Sequence, residues 1–153
     1  MRKILLFAFF FVLCFFSHAA LSDPEFNTGS GWTVDGTASV TFNGRLVITK
    51  DMFDTVTQVW QLESAFDPGE TWKATFNVDT VMMPGFTIGW QNASYSWKSG
   101  GSQAVTTPGV YSLTCNDSNY SWVVIETSGS IMSGSLESCY TEQLSGIDSW
   151  ELY

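Results

Sequence analysis

Histidine and positive charge are scarce in this chain of 153 residues. The one histidine, His18, lies in an apolar N-terminal segment, and six basic residues stand against fifteen acidic ones. Beyond residue 19 the chain therefore has no imidazole for Ser-His-Asp or Cys-His catalysis, or for a His-ligated zinc or iron site. The shortage of Lys and Arg also disfavours binding to nucleic acid and to anionic membranes, because both interactions depend on positive charge.

The N-terminal segment is typical of a secretory signal peptide. Arg2 and Lys3 precede an apolar run over residues 4–16, and small residues suited to cleavage follow at 17–20. The run is shorter than a usual membrane span, although an uncleaved anchor is the alternative. We predict a signal peptide at 1–19 and one secreted domain at 20–153, extracellular or periplasmic, with no membrane attachment after cleavage. Four basic and fifteen acidic residues would remain, a net charge of −11.

Only two cysteines, Cys115 and Cys139, remain after cleavage. An even pair in an exported chain predicts one disulfide, which would stabilise the fold by roughly 3 kcal/mol by closing a ring of about 25 residues. Two free thiols are the alternative. Three short segments, beginning at Asn92, Asn116 and Asn119, match the pattern for N-glycosylation, which matters only in a eukaryotic host.

No long stretch of the chain has a helical period, and short alternating stretches follow one another instead. The clearest alternation runs from Trp72 to Val78, and Asn43-Gly44 is a strong hairpin signal between two further stretches. Other strands are predicted at 37–42, 46–48, 55–62, 86–91, 111–115, 120–127 and 147–153, and a Gly/Ser-rich loop at 128–135. Short strands with turns about every ten residues predict an all-β protein, a two-sheet antiparallel β-sandwich.

Three segments, in order, resemble the galactose-binding-like jelly rolls, a fold of many carbohydrate-binding modules. Residues 26–32 are similar to the opening Phe-x-x-Gly-x-x-Gly-Trp signature with a shortened gap. Gln58 and residues 68–78 resemble Gln followed by Pro-Gly-x-Thr-Tyr-x-x-x-Phe-x-Val, with Trp72 in place of the tyrosine. Residues 147–153 are similar to the closing Ile-Asp-Asn-Val-x-Leu-Tyr. The resemblance implies a jelly roll, but not a particular ligand, because such modules bind many ligands or none.

The resemblance also implies a structural calcium ion between the opening segment and the closing strand. Asp148 matches the aspartate of the closing strand, and Asp23 and Glu25 lie near the opening segment. Carboxylate and carbonyl oxygens are the ligands that calcium prefers. The chain departs from the pattern at Asn27, where the family often has an acid. We therefore predict a calcium site at Glu25 and Asp148, with strand capping by Asp148 as the alternative.

The segment from Pro84 to Trp97 has the composition of a ligand-binding surface. Its first half alternates, so that Phe86, Ile88 and Trp90 face inward. Its second half keeps large aromatic residues among small polar ones but has no aliphatic partners for them. Aromatic rings stack on sugar rings and amides bind hydroxyls, unless these aromatic residues merely cover the end of the sandwich. The predicted binding residues are Gln91, Asn92, Tyr95 and Trp97, helped by Trp60 or Tyr120 from a neighbouring strand.

These features predict a non-catalytic, lectin-like module that binds a neutral oligo- or polysaccharide. The alternative is a structural or adhesion module of a cell surface, a matrix or a virus particle. A glycan-cleaving enzyme would need two carboxylates that flank a cleft. No acid pair stands out within an aromatic strand, and Asp148 and Glu151 do not share a strand face. The sequence does not indicate an oligomeric state.

Overall fold

A computed structural model describes residues 21–82, 84–127, 129 and 131–144. The predicted signal peptide, the strand predicted at 147–153 and Asp148 lie outside these residues. The described part of the chain folds into β-strands joined by loops. It contains no helix long and apolar enough to cross a membrane.

Two five-stranded antiparallel sheets make up the described structure, which confirms the predicted β-sandwich. The first, here the front sheet, has the order β1 (Thr33–Asp35), β4 (Gln58–Leu62), β9 (Trp122–Thr127), β6 (Phe86–Gln91) and β7 (Trp97–Val105). The second, the back sheet, has the order β2 (Ser39–Phe42), β3 (Leu46–Lys50), β10 (Met132–Gln143), β5 (Trp72–Val81) and β8 (Gly109–Cys115).

The core lies between the two sheets and is built from alternate residues of facing strands. Phe86, Ile88 and Trp90 of the front sheet are fully buried, as their alternation predicted. Trp72 and Phe76 are buried on the back sheet. The indole of Trp90 also donates a hydrogen bond of 3.0 Å to a carbonyl of β8, so one residue joins the sheets by both packing and polar contact.

The hairpin predicted at Asn43-Gly44 is confirmed. β2 and β3 pair across it in antiparallel register, with Phe42 opposite Leu46. Gly44 has φ of +67°, a conformation that glycine adopts without the steric cost of a side chain. The turn therefore fixes which faces of β2 and β3 point into the core.

The loop predicted at 128–135 is wrong from Met132 onward. That residue begins β10, the longest strand described, which lies between β3 and β5. Its small residues serve packing, since a Cβ on Gly134 would lie 2.3 Å from the ring of Phe86. The hydroxyl of Ser135 forms hydrogen bonds with the side chains of Thr80 (2.9 Å) and Asp79 (3.1 Å). A Gly/Ser-rich composition therefore marks a crowded central strand here. β7 was not predicted at all.

Asp23 organises the opening segment of the described chain. Its carboxylate accepts backbone N–H groups from Asn27 (2.9 Å), Thr28 (2.9 Å) and Gly29 (2.6 Å). Its own carbonyl accepts the indole N–H of Trp32 at 2.9 Å. Burial alone would raise the pKa of Asp23, but these backbone hydrogen bonds lower it below its usual value. A buried, ionised carboxylate therefore holds this turn closed.

The predicted disulfide between Cys115 and Cys139 is wrong, because both residues are buried free thiols. Cys115 lies opposite Trp72 of β5, and Cys139 lies opposite Phe76 on the other side of that strand. Four residues along β5 and two strand spacings separate their Cα atoms by about 16 Å. A disulfide requires less than about 7 Å. The prediction was based on the even number of cysteines, which contains no information about β5, the strand that lies between them.

We expect neither thiol to react with iodoacetamide in the native protein. Burial raises the pKa of Cys115, and it raises the pKa of Cys139 well above its ordinary value, so the reactive thiolate is scarce at both. Peptide mass spectrometry should show labelling of both residues after denaturation without a reductant. Recovery of the two peptides as one cross-linked species would contradict the structure.

Candidate functional site

The outer face of the front sheet, which points away from the back sheet, is arranged in three rows across the strands. Directly paired residues of antiparallel strands share a face, so the register defines each row. The upper row is Leu62, Trp122, Gln91 and Trp97. The middle row is Thr33, Trp60, Val124, Gly89 and Ser102. The lower row is Asp35, Gln58, Glu126, Thr87 and Ala104.

Three aromatic side chains form a continuous platform on this face. The rings of Trp60 and Trp122 stack with centroids 4.2 Å apart and planes inclined by only 4°. Tyr95 packs edge-on against Trp122, with centroids 5.7 Å apart at 85°. Val124 is fully buried in this region, yet it is not part of the core between the sheets. The platform of Trp60, Trp122 and Tyr95 therefore forms a second apolar layer on the outside of the sandwich.

The turn between β6 and β7 holds Tyr95 in place. The side-chain oxygen of Asn92 accepts backbone N–H groups from Ser94 (2.9 Å) and Ser96 (3.0 Å), and its carbonyl accepts the N–H of Tyr95 at 2.9 Å. Tyr95 has φ of +60°, in the left-handed region that few aromatic residues occupy. Such a backbone costs about 1 kcal/mol or more and persists where surrounding contacts impose it. Tyr95 is 52% exposed in this position.

Buried polar atoms without partners lie on the same face. Both amide atoms of Gln91 are buried and form no hydrogen bond within the described part of the chain, and the residue is fully buried. The indole nitrogen of Trp60 and the amide oxygen of Gln58 are unpaired in the same way. A buried polar group without a partner costs about 1–3 kcal/mol. The outer face therefore carries unused hydrogen-bonding capacity beside its aromatic rings.

The structure brings together four of the six predicted binding residues. Trp60, Gln91 and Trp97 lie on the outer face, and Tyr95 packs onto it from the adjoining turn. Asn92 holds that turn through its side chain, as described above. Tyr120 packs against the core instead, with the Lys98 ammonium 5.8 Å from its ring centroid.

Trp122, at the centre of the platform, was missed by the sequence analysis. It begins a strand whose next residues, Val123, Val124 and Ile125, are all buried, so alternation does not reveal which face it occupies. Its pairing with Leu62 and Gln91, on strands distant in sequence, places it beside Trp60. The available sequence signal for Trp122 was the pair of aromatic residues, Tyr120 and Trp122, at the start of the predicted strand.

The predicted calcium site stays a prediction. Among the described residues, no group of three or more His, Cys, Asp or Glu side chains is arranged to hold a metal ion. Glu25 is exposed and accepts a hydrogen bond of 3.4 Å from the side chain of Asn27. Asp23, which lies nearby, directs its carboxylate to backbone N–H groups. The other predicted ligand, Asp148, is outside the described residues.

Two carboxyl groups, Glu126 of β9 and Glu63 directly after β4, have different surroundings. Burial raises the pKa of Glu63, although hydrogen bonds from the Thr141 hydroxyl (2.5 Å) and the Ala65 N–H (3.3 Å) act in the opposite direction. Glu63 bonds to β10 of the back sheet and is absent from the three rows of the outer face. Glu126, which is on that face, accepts the amide N–H of Gln58 at 2.5 Å. The outer face thus combines apolar rings and amides, with the carboxylates of Asp35 and Glu126 in its lower row.

Comparison with known proteins gives likeness in structure but not in sequence. No protein-family model and no curated protein matches the chain. Among solved structures, a carbohydrate-binding module (CBM4) is similar with a TM-score of 0.55 at 17% identity, over 75% of this chain and 96% of that one. The CBM22-1 xylan-binding domain from Paenibacillus barcinonensis is similar with a TM-score of 0.51 at 12% identity, over 82% and 93% of the two chains.

The enzymatically active domain of tailspike protein 4 from bacteriophage CBA120 is also similar, with a TM-score of 0.56 at 13% identity. The match covers 78% of this chain but only 20% of the tailspike chain. At such low identities the likeness concerns the fold. The chain has the two-sheet β-sandwich fold of carbohydrate-binding modules.

Proposed function

We propose that this protein is a secreted, non-catalytic module that binds an oligo- or polysaccharide through uncharged sugar rings. The observation that carries the proposal is the platform of Trp60, Trp122 and Tyr95 on an open sheet face, beside unpaired amides. Sugar rings present apolar C–H faces that stack on aromatic rings. A contiguous apolar patch on a protein surface commonly marks an interaction site. Secretion rests on the N-terminal segment alone.

The amide of Gln91 would supply hydrogen bonds to sugar hydroxyls beside the platform. The amide of Gln91 lies in the upper row next to Trp122, and the ring of Tyr95 packs edge-on against Trp122. An amide has two donors and two acceptor positions, and therefore matches a pair of neighbouring hydroxyls.

Two observations support a binding role over glycan cleavage. A glycoside hydrolase keeps its general acid protonated by raising the pKa of a carboxyl group beside the ligand. The described carboxyl group with a raised pKa, Glu63, bonds instead to Thr141 of the back sheet. Two similar structures that match over most of their own length are carbohydrate-binding modules.

Affinity electrophoresis against a panel of soluble neutral polysaccharides tests the proposal. We expect at least one of them, such as xylan or a β-glucan, to retard the mature protein with a Kd of about 10 µM to 1 mM. Tyr95→Ala should weaken the retardation about tenfold, because it removes one edge of the platform. Tyr140→Ala is the matched control, since this tyrosine is 45% exposed but lies on the back sheet. Equal effects of the two variants, or no retardation by any polysaccharide, would contradict the proposal.

A further inference from the structure

The lower row of the outer face begins with three hydrogen-bond acceptors. Asp35, Gln58 and Glu126 lie side by side on β1, β4 and β9. Neighbouring strands are about 4.8 Å apart, so the two carboxylate residues are separated by about 10 Å at Cα, with Gln58 between them. We name these three residues the acceptor row.

Acceptors outnumber donors in the acceptor row. The side-chain NH2 of Gln58 donates one hydrogen bond to Glu126 at 2.5 Å. The side-chain oxygen of Gln58 has no partner among the described residues, and Gln58 is only 9% exposed. Ionised carboxylates accept hydrogen bonds and cannot donate them. An unpaired acceptor between two carboxylates calls for a ligand that brings several donors.

No described basic side chain neutralises the acceptor row. Arg45 forms an ion pair with Asp79 of β5, and Lys73 forms one with Glu142 of β10. Lys50 of β3 donates a hydrogen bond of 3.0 Å to the backbone carbonyl of Gly129. Lys98 lies against the ring of Tyr120. Neither carboxylate of the row forms an ion pair with a described residue. The row is therefore a negatively charged strip along one side of the aromatic platform.

We propose that the acceptor row binds the ammonium group of an amino sugar, so that the preferred ligand is a glycan carrying protonated amino groups among its neutral rings. This inference rests on the proposed function and narrows its ligand. An ammonium group has three donors, no acceptor and a positive charge, whereas a hydroxyl has one donor. Gln58 of the acceptor row lies two residues along β4 from Trp60, so their Cα atoms are about 7 Å apart. A substituent on a sugar ring stacked against Trp60 can therefore reach the acceptor row.

Titration calorimetry of the mature protein with oligomers of glucosamine and of N-acetylglucosamine tests the inference. The titration is run near pH 5.5, where the amino groups of the glucosamine oligomer are largely protonated. We expect the glucosamine oligomer to bind about tenfold more tightly at low salt, and the difference to shrink as salt screens it. The double variant Asp35→Asn/Glu126→Gln should lose this preference but bind the neutral panel polysaccharide within about twofold of the wild type.

A matched variant separates a local site from general charge attraction. Glu137→Gln/Glu142→Gln makes the same change in net charge on β10 of the back sheet, and it should keep the tenfold preference. If the change at Glu126 disturbs the fold, the single variant Asp35→Asn replaces the double variant in the test, because Asp35 is exposed. The inference is overturned if the wild type binds the two oligomers with equal affinity, or if both double variants lose the preference for the glucosamine oligomer equally. In either case, binding to the neutral polysaccharide would still support the proposed function. Absence of binding to every saccharide overturns both.

Discussion

Trp122→Ala is expected to abolish polysaccharide retention while the protein stays folded. The substitution removes the stack on Trp60 and the edge contact with Tyr95 at once, because Trp122 is the ring that both of them touch. Central tryptophans of binding surfaces commonly contribute about 2 kcal/mol or more, a loss of about 30-fold. A site that starts near 1 mM or somewhat below would then no longer retard the protein in affinity electrophoresis.

Stability separates this effect from a loss of structure. Trp122 is only partly buried and lies outside the core between the sheets. Trp90→Ala is the control, because that fully buried residue should cost about 3–5 kcal/mol and unfold much of the sample. Trp122→Ala should instead melt close to the wild type. Retention that survives Trp122→Ala would place the binding surface elsewhere, and a melting curve like that of Trp90→Ala would make Trp122 a structural residue.

Asp23→Ala is expected to lower the free energy of unfolding by about 3 kcal/mol. Three backbone N–H groups would lose a charged acceptor, and hydrogen bonds to charged groups contribute about 1.5–3 kcal/mol each before water recovers part of the loss. Urea unfolding followed by tryptophan fluorescence would measure the change. Glu25→Ala, at an exposed position in the same segment, should change stability by less than about 0.5 kcal/mol.

The pH dependence of stability gives an independent check on Asp23. Its pKa is lower in the folded state than in the unfolded chain, so its contribution is fully present above the ordinary value of 3.8. The contribution is lost as the pH falls from that value through the folded pKa. Asp23→Ala should therefore flatten the decline in stability below about pH 4. Parallel acid-unfolding curves for the variant and the wild type would show that Asp23 does not hold the turn closed.

Individual strands could be predicted from the sequence, but their neighbours could not. The alternation in β5 and β6 predicted the inward faces of Trp72 and Phe86 correctly, since side-chain direction within a strand depends on local period alone. The platform depends on β4 lying beside β9, so that Trp60 meets Trp122 across strands more than sixty positions apart. Sheet order is a tertiary property, and no local pattern near Trp122 encodes it.

The start of β10, which was predicted as a loop, shows a second limit of prediction from local sequence. Small residues such as Gly134 and Ser135 favour turns on average, yet tertiary packing overrides that preference where Phe86 and Asp79 fill the space beside them. The wrong disulfide has the same origin. A count of Cys115 and Cys139 carries no information about the β5 strand that separates them.

Because Cys115 and Cys139 of the back sheet are buried free thiols, the described fold does not depend on an oxidising environment. Its stability rests on packed side chains and hydrogen bonds, which form equally well in the presence of glutathione. We expect the domain to fold in the cytoplasm of a bacterial host without oxidative refolding. It should therefore tolerate genetic fusion to fluorescent proteins or enzymes inside cells, where disulfides are rarely stable.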